Sequence, residues 1–192
     1  MIHQSTKEEK SRVMNTLLLG LSMDPIIRWY FPEPHEFLSN APKLLDLISG
    51  KAFEHNTVYH TENFTCCALW LPPDVHPDDE GISRYLEEKL EGPLLKEVSA
   101  LETEMSKSIP KEACWHLSFI AADPAQTGKG HGSKLLNHTL RLIDEDKKPA
   151  YLESTNRANL TLYERYGFDL LSEIQIGNSP TVFTMIRQPR ES

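Results

Sequence analysis

Thr127-Gly128-Lys129-Gly130-His131-Gly132-Ser133 lies between an apolar run at 117–122 and a helical run at 134–143. A strand, then glycine at every second position, then a helix start is a device for holding phosphate. Glycine lets the backbone approach a ligand closely and adopt conformations closed to other residues. The free N–H groups of the helix's first turn, at the positive end of its dipole, then face the anion. Familiar nucleotide motifs do not fit. A P-loop needs G-x-x-x-x-G-K-[ST], and no lysine followed by serine or threonine stands at that spacing. A dinucleotide fingerprint calls for a βαβ unit near the start of a longer alternating domain.

Upstream, residues 2–5 read as a short edge strand. Ser5 or Thr6 offers an N-cap, with Glu8 or Glu9 three residues on, before Val13, Leu17, Leu18 and Leu21 at helical spacing. Asp24-Pro25 breaks that helix and opens an aromatic segment through Trp29, Tyr30 and Phe31. A second helix is predicted over 36–49, ended by Gly50. Residues 56–60 and 63–71 read as antiparallel strands, the second stopped by Pro72-Pro73. The acidic stretch 74–110 is read as two helices, 79–91 and 94–107, interrupted by Gly92-Pro93. Residues 115–122 are the central strand and 129–144 the helix after the glycine loop. Downstream come a strand at 150–153, a short helix at 159–166 capped by Gly167, and a hairpin of 170–176 with 181–187. With no repeat and no low-complexity linker, the expectation is one α/β domain over 1–192.

The net charge of −8 argues against a general nucleic-acid binder, which needs a basic face. Cys66, Cys67 and Cys114 make no disulfide framework, and without a C-x-x-C pair no metal site is expected. Adjacent Cys66 and Cys67 should point to opposite faces of their strand. Buried free thiols suit a reducing cytosol. No export signal is read near Met1, and nothing approaches the roughly 20 apolar residues of a membrane span. The expected location is cytoplasmic, with no nucleic-acid or membrane partner and no assigned oligomeric state.

After the glycine loop comes Asn156-x-x-Asn159-x-x-Leu162-Tyr163-x-x-x-Gly167-Phe168. The two elements together resemble the GNAT superfamily of acyl-CoA-dependent N-acyltransferases. Its signature is Q/R-x-x-G-x-G/A after a strand that ends near a proline, followed by N-x-x-A-x-x-L-Y-x-x-x-G-F. The chain looks closest to the puromycin N-acetyltransferase-like subgroup. That likeness rests on Asp24-Pro25-x-x-Arg28-Trp29, Ala68-Leu69-Trp70-Leu71-Pro72-Pro73, Leu152-Glu153-Ser154 and Asn159 in place of the common alanine. There are two departures in the loop. Thr127 stands where Arg or Gln is usual, with Gln126 one residue early, and His131 replaces an apolar residue. Residues 74–111 carry no matched motif.

The resemblance implies a GNAT-like fold, with a mixed, largely antiparallel sheet flanked by helices and a splayed central strand pair. It implies acetyl-CoA as cosubstrate. Thr127, Gly128, Lys129, Gly130, His131, Gly132 and Ser133 would cradle the pyrophosphate. Ile120, Ala121 and Ala122 would offer a strand edge to the pantetheine arm, and Asn156, Asn159 and Tyr163 complete the cofactor contacts. An amine would attack the thioester directly in a ternary complex. Tyr163 is the expected proton donor to the thiolate, since a phenol and a thiol have comparable pKa values; its bland alternative is a core aromatic. Tyr166, one turn on, is expected to pack.

Glu153 is the expected base, its competing role being to orient Arg157 or bind backbone N–H groups. His116 is read as a surface or packing residue. Trp29, Tyr30 and Trp70 are the expected acceptor-pocket walls, against a core role for each. Asp78, Asp79 and Glu80 could attract a cationic amine but also suit a solvated helix start. The expected activity is acetyl transfer to a primary amine of a small molecule. Two alternatives are an acyl-CoA-binding module with weak or lost catalysis and a peptide N-terminal acetyltransferase.

Overall fold

Strands with apolar residues at every position must be covered on both faces, and β3 (Cys66–Leu71) is such a strand, buried throughout. Its odd and even residues serve two separate cores. Cys67, Leu69 and Leu71 join one hydrophobic cluster, and Cys66, Ala68 and Trp70 join the other. The adjacent cysteines therefore point to opposite faces, as period-two geometry requires. The computed structural model describes residues 1–190.

Seven strands form one sheet in the order β1-β2-β3-β4-β5-β7-β6. The others are β1 (Ile2–Gln4), β2 (Val58–Thr61), β4 (Trp115–Ala122), β5 (Ala150–Ser154), β6 (Asp169–Ile174) and β7 (Val182–Arg187). Every neighbouring pair is antiparallel except β4 with β5. That parallel pair shares only three register positions, Trp115↔Ala150, His116↔Tyr151 and Leu117↔Leu152. Past Leu117 the two strands diverge. β4 continues against β3 to Ala122, and β5 continues against β7 to Ser154. The sheet is thus mixed and largely antiparallel, opening at its centre.

One face is covered by α1 (Lys10–Gly20), α2 (Pro25–Tyr30), α3 (Pro34–Ser49), α4 (Lys51–Glu54), α5 (Asp79–Lys89) and α6 (Gly92–Ser108). The other is covered by α7 (His131–Glu145) and α8 (Leu160–Arg165). In α7, Leu135, Leu136, Thr139, Leu140 and Ile143 are buried, a spacing that puts one helical stripe on the sheet. Gly20 lets α1 press onto the end of β4, since a Cβ there would lie 2.7 Å from the Ala122 carbonyl oxygen.

Several boundaries differ from the sequence reading for physical reasons. Gly50 does not take the left-handed conformation of a stop; it is helical, and the chain runs on into α4 before turning at Asn56. The acidic stretch forms two helices as read, but the break falls at Leu90 and Glu91, and Gly92-Pro93 opens α6, where a proline without an N–H does no harm. The expected 56–60 strand begins at Val58 because Asn56 has a positive φ. Asp24 caps α2 by accepting from the Ile26 and Ile27 N–H groups, so the aromatic segment is a short helix. Among the described residues, no helix is long and apolar enough to cross a membrane.

Candidate active site

The glycine loop leaves β4 through Asp123, whose side chain accepts from the Ala125 N–H at 2.9 Å, and a 3-10 turn at Pro124–Gln126. Gly128 and Gly130 then take φ values of 81° and 76°, in the left-handed region that a Cβ disfavours. Gly130 is the N-cap of α7 and brings no side-chain acceptor to its first turn. Among the described residues, the N–H groups of Gly128, Gly130, His131, Gly132 and Ser133 donate to nothing in the protein. A Cβ built on Gly128, Gly130 or Gly132 would meet nothing within 4 Å. Unspent donors converge on open space at a helix N-terminus, which fits a pyrophosphate.

Thr127 ends the 3-10 turn and is exposed, and Gln126 is held aside by the Lys129 Nζ, which donates to its Oε1 at 2.8 Å. Neither long side chain reaches over the glycines, so the backbone carries the binding capacity. The Tyr166 hydroxyl donates to the Ser133 carbonyl at 2.8 Å and ties the end of α8 to the first turn of α7. Its role is to hold the loop in place.

Ile120, Ala121 and Ala122 follow on the part of β4 that β5 has left, so one strand edge runs from the split toward the glycine loop. Tyr163 is 5% exposed and packs edge-on against Phe168 at 5.9 Å on the α7 side of the sheet. Burial, and then the neighbouring Cys66 thiol, pushes its phenol well above the usual range. Among the described residues, no hydrogen bond holds the hydroxyl. Asn156 and Asn159 are exposed; the Asn156 side chain caps the turn before α8, accepting from the Ala158 N–H at 2.9 Å.

Glu153 lies on the opposite face, one residue past Leu152. Its carboxylate accepts from the Tyr151 hydroxyl at 3.1 Å and stands 3.7 Å from His116 Nε2. Arg157 instead faces Glu173 at 3.5 Å, so Glu153 is not occupied in orienting it. The His116–Glu153 pair was hidden in the sequence, because the parallel register that joins β4 to β5 is a long-range fact. Tyr163 and Glu153 do not touch; they lie on opposite faces of the sheet.

Further acids gather on the Glu153 side. The Tyr30 hydroxyl donates to Glu102 Oε1 at 2.7 Å, and the Thr155 hydroxyl donates to Asp24. Burial raises Glu102 first, with Glu153 and Asp79 adding to it, while the Tyr30 hydrogen bond opposes. Burial also raises Asp24, opposed by hydrogen bonds from Thr155, Ile27 and Ile26. Among the described residues, no lysine or arginine pairs with Asp24, Glu102 or Glu153. Glu102 comes from α6, within the stretch that carried no motif. Its only sequence signal was an acid on the same helical stripe as buried Val98 and Leu101.

Trp70 corrects one expectation. It is fully buried in the α7-side core, on the face away from Tyr30 and Glu153, and lines no acceptor space. Trp29 is half-buried beside Tyr30, with ring centroids 5.7 Å apart. Asp78 caps α5 through the Gly81 N–H at 3.1 Å. No three metal-ligating side chains converge among the described residues.

Residues 94–168 match the model of the acetyltransferase (GNAT) family, from α6 through the split, the glycine loop and Tyr163. This stretch of the chain resembles the GNAT acetyltransferase family. An uncharacterized N-acetyltransferase of Schizosaccharomyces pombe is 26% identical over 148 residues, a match spanning 69% of this chain and 60% of that relative. Among solved structures, the fold is shared with an acetyltransferase of Corynebacterium glutamicum described as histone acetyltransferase HPA2 and related. Its TM-score is 0.70 at 19% identity, covering 100% of this chain and 97% of that one. The polyamine N-acetyltransferase of Drosophila melanogaster, which forms N-acetylagmatine, gives 0.65 at 16% identity, covering 98% and 99%. These likenesses are of fold, and they extend over the helices α1–α6 that the family match leaves out in part.

Proposed function

We propose that the protein transfers the acetyl group of acetyl-CoA to a cationic primary amine of a small molecule, by direct attack in a ternary complex. The observation that carries this reading is the split of β4 from β5 after Leu117↔Leu152, with Tyr163 on one face and Glu153 on the other. Acetyl-CoA supplies an acetyl group already activated as a thioester. The N–H groups of Gly128, Gly130, His131, Gly132 and Ser133 bind its pyrophosphate, and the edge at Ile120, Ala121 and Ala122 orients its arm. Glu153, backed by His116 and Tyr151, takes the proton of the incoming ammonium. Tyr163 holds a proton at its hydroxyl for the departing thiolate.

The acceptor's charge is argued from Asp24, Glu102 and Glu153. Carboxylates gathered with so little basic compensation are costly unless a cation joins them. Tyr30 and Trp29 then bound the acceptor side. The polyamine substrate named for the Drosophila relative agrees with such a charge. The subgroup resembling puromycin N-acetyltransferase is proposed on Asp24-Pro25 and Asn159, and a cytoplasmic location on the three free cysteines. The test is thiol release from acetyl-CoA across matched cationic and neutral amines. Release with cationic primary amines is expected; release with none, alongside intact acetyl-CoA binding, would favour a binding module instead.

A further inference from the structure

We propose that Ser118 is the second contact for the attacking amine, standing across from Glu153 where β4 and β5 part. This rests on the transferase reading above. The register gives the placement: Leu117↔Leu152 is the last pair, so Ser118 and Glu153 are the first residue past it on each strand. On its other side Ser118 is also skipped. β3 pairs Leu69 with Phe119 and Trp70 with Leu117, which makes Ser118 the extra residue of a bulge. It is therefore unpaired with respect to both neighbouring strands.

Its hydroxyl is buried and has no hydrogen-bond partner among the described residues. A buried hydroxyl left unmade is costly, and an alanine at this place would avoid that cost. The missing partner is one that arrives with the ligand entering the split. The chemistry at that level is specific. Ionised Glu153 only accepts, whereas a serine hydroxyl both accepts and donates. Once Glu153 has passed the ammonium's proton on to water, it accepts one N–H of the neutral amine and Ser118 accepts the other, which turns the nitrogen lone pair toward the carbon it must attack. The glycine loop begins ten residues further on, so pyrophosphate binding does not depend on Ser118.

The experiment compares Ser118→Ala, Ser118→Thr and Ser118→Val in steady-state kinetics with a cationic amine, in acetyl-CoA binding and in thermal unfolding. Ala and Val are expected to lower kcat/KM for the amine by about tenfold or more, while the acetyl-CoA Kd stays within about twofold. Thr, which keeps the hydroxyl, is expected to retain most of the activity. Ala is expected to melt at or above the wild-type temperature, the opposite of a residue kept for packing. The Thr and Val variants differ in one hydroxyl at nearly constant shape, so equal amine constants in those two overturn the assignment. Wild-type amine constants in Ser118→Ala overturn it as well. A wild-type protein that releases no thiol with any amine sinks the transferase reading itself, and the assignment with it.

Discussion

Tyr163 keeps its proton at neutral pH as an ordinary phenol does; burial, followed by the Cys66 thiol, pushes the phenol further up and makes it a weaker acid. On the proposed reading, a leaving thiolate is the acceptor that its hydroxyl lacks among the described residues. Tyr163→Phe is expected to lower kcat by about 100-fold, the lower end for a positioned general acid, with acetyl-CoA binding retained; unchanged turnover removes Tyr163 from the proton path. Gly132 tests the other half of the site. It lies in the first turn of α7, and a Cβ there would meet no protein atom within 4 Å. Gly132→Ala is therefore expected to keep or slightly raise the melting temperature while weakening acetyl-CoA binding by about tenfold, measured by calorimetry. Unaltered binding would mean the open space holds no anion. Motif spacing made Tyr163 and the glycines candidates from the sequence. His116 and Glu102 were not legible, because each gains its meaning from a partner more than 30 residues away, Glu153 for one and Tyr30 for the other.

Elements were read best where burial imposes an unambiguous period. β4 runs over the expected 115–122, and α7 follows the stripe of Leu135, Leu136, Leu140 and Ile143. Reading failed where a glycine was asked to mean one thing, as at Gly50, and where full burial erased the distinction between a pocket wall and a core residue, as at Trp70. The junction of α7 with β7 offers an element-scale prediction. Arg187, 3% exposed, donates to both carboxylate oxygens of Asp144 at 2.6 and 2.7 Å, and its Nε donates to the Tyr166 carbonyl at 2.8 Å. Burial pushes Asp144 up, but hydrogen bonds from Arg187 and the Arg190 N–H, with the charges of both arginines, hold it below the usual carboxylate range. A lowered folded pKa contributes stability above the unfolded carboxylate pKa, and that stability is lost as pH falls through the folded value. Asp144→Asn is expected to cost about 3–5 kcal/mol at neutral pH by stranding a buried guanidinium. In urea unfolding the gap between variant and wild type should close as pH falls below the ordinary carboxylate range. Equal stabilities at pH 7 would contradict this.

At the scale of the whole molecule, the sheet separates two jobs. The face under α7 and α8 holds the glycine loop and Tyr163, and the face under α1–α6 holds Glu153, Glu102 and Asp24. Between the two faces lies the gap left when β4 and β5 part. The general plan was legible because two motifs at the right separation fix a strand, a loop and a helix. On the other face, only Glu153 of the three acids was named from the sequence as a site residue, since Asp24 and Glu102 stand far from it in the chain and only folding brings them to its side. The most direct measurement is the initial rate of thiol release with acetyl-CoA and a cationic primary amine varied independently. Release that requires both, with intersecting double-reciprocal lines, is the expected result. No release, or parallel lines from a covalent acetyl-enzyme, would contradict a ternary complex assembled in the split.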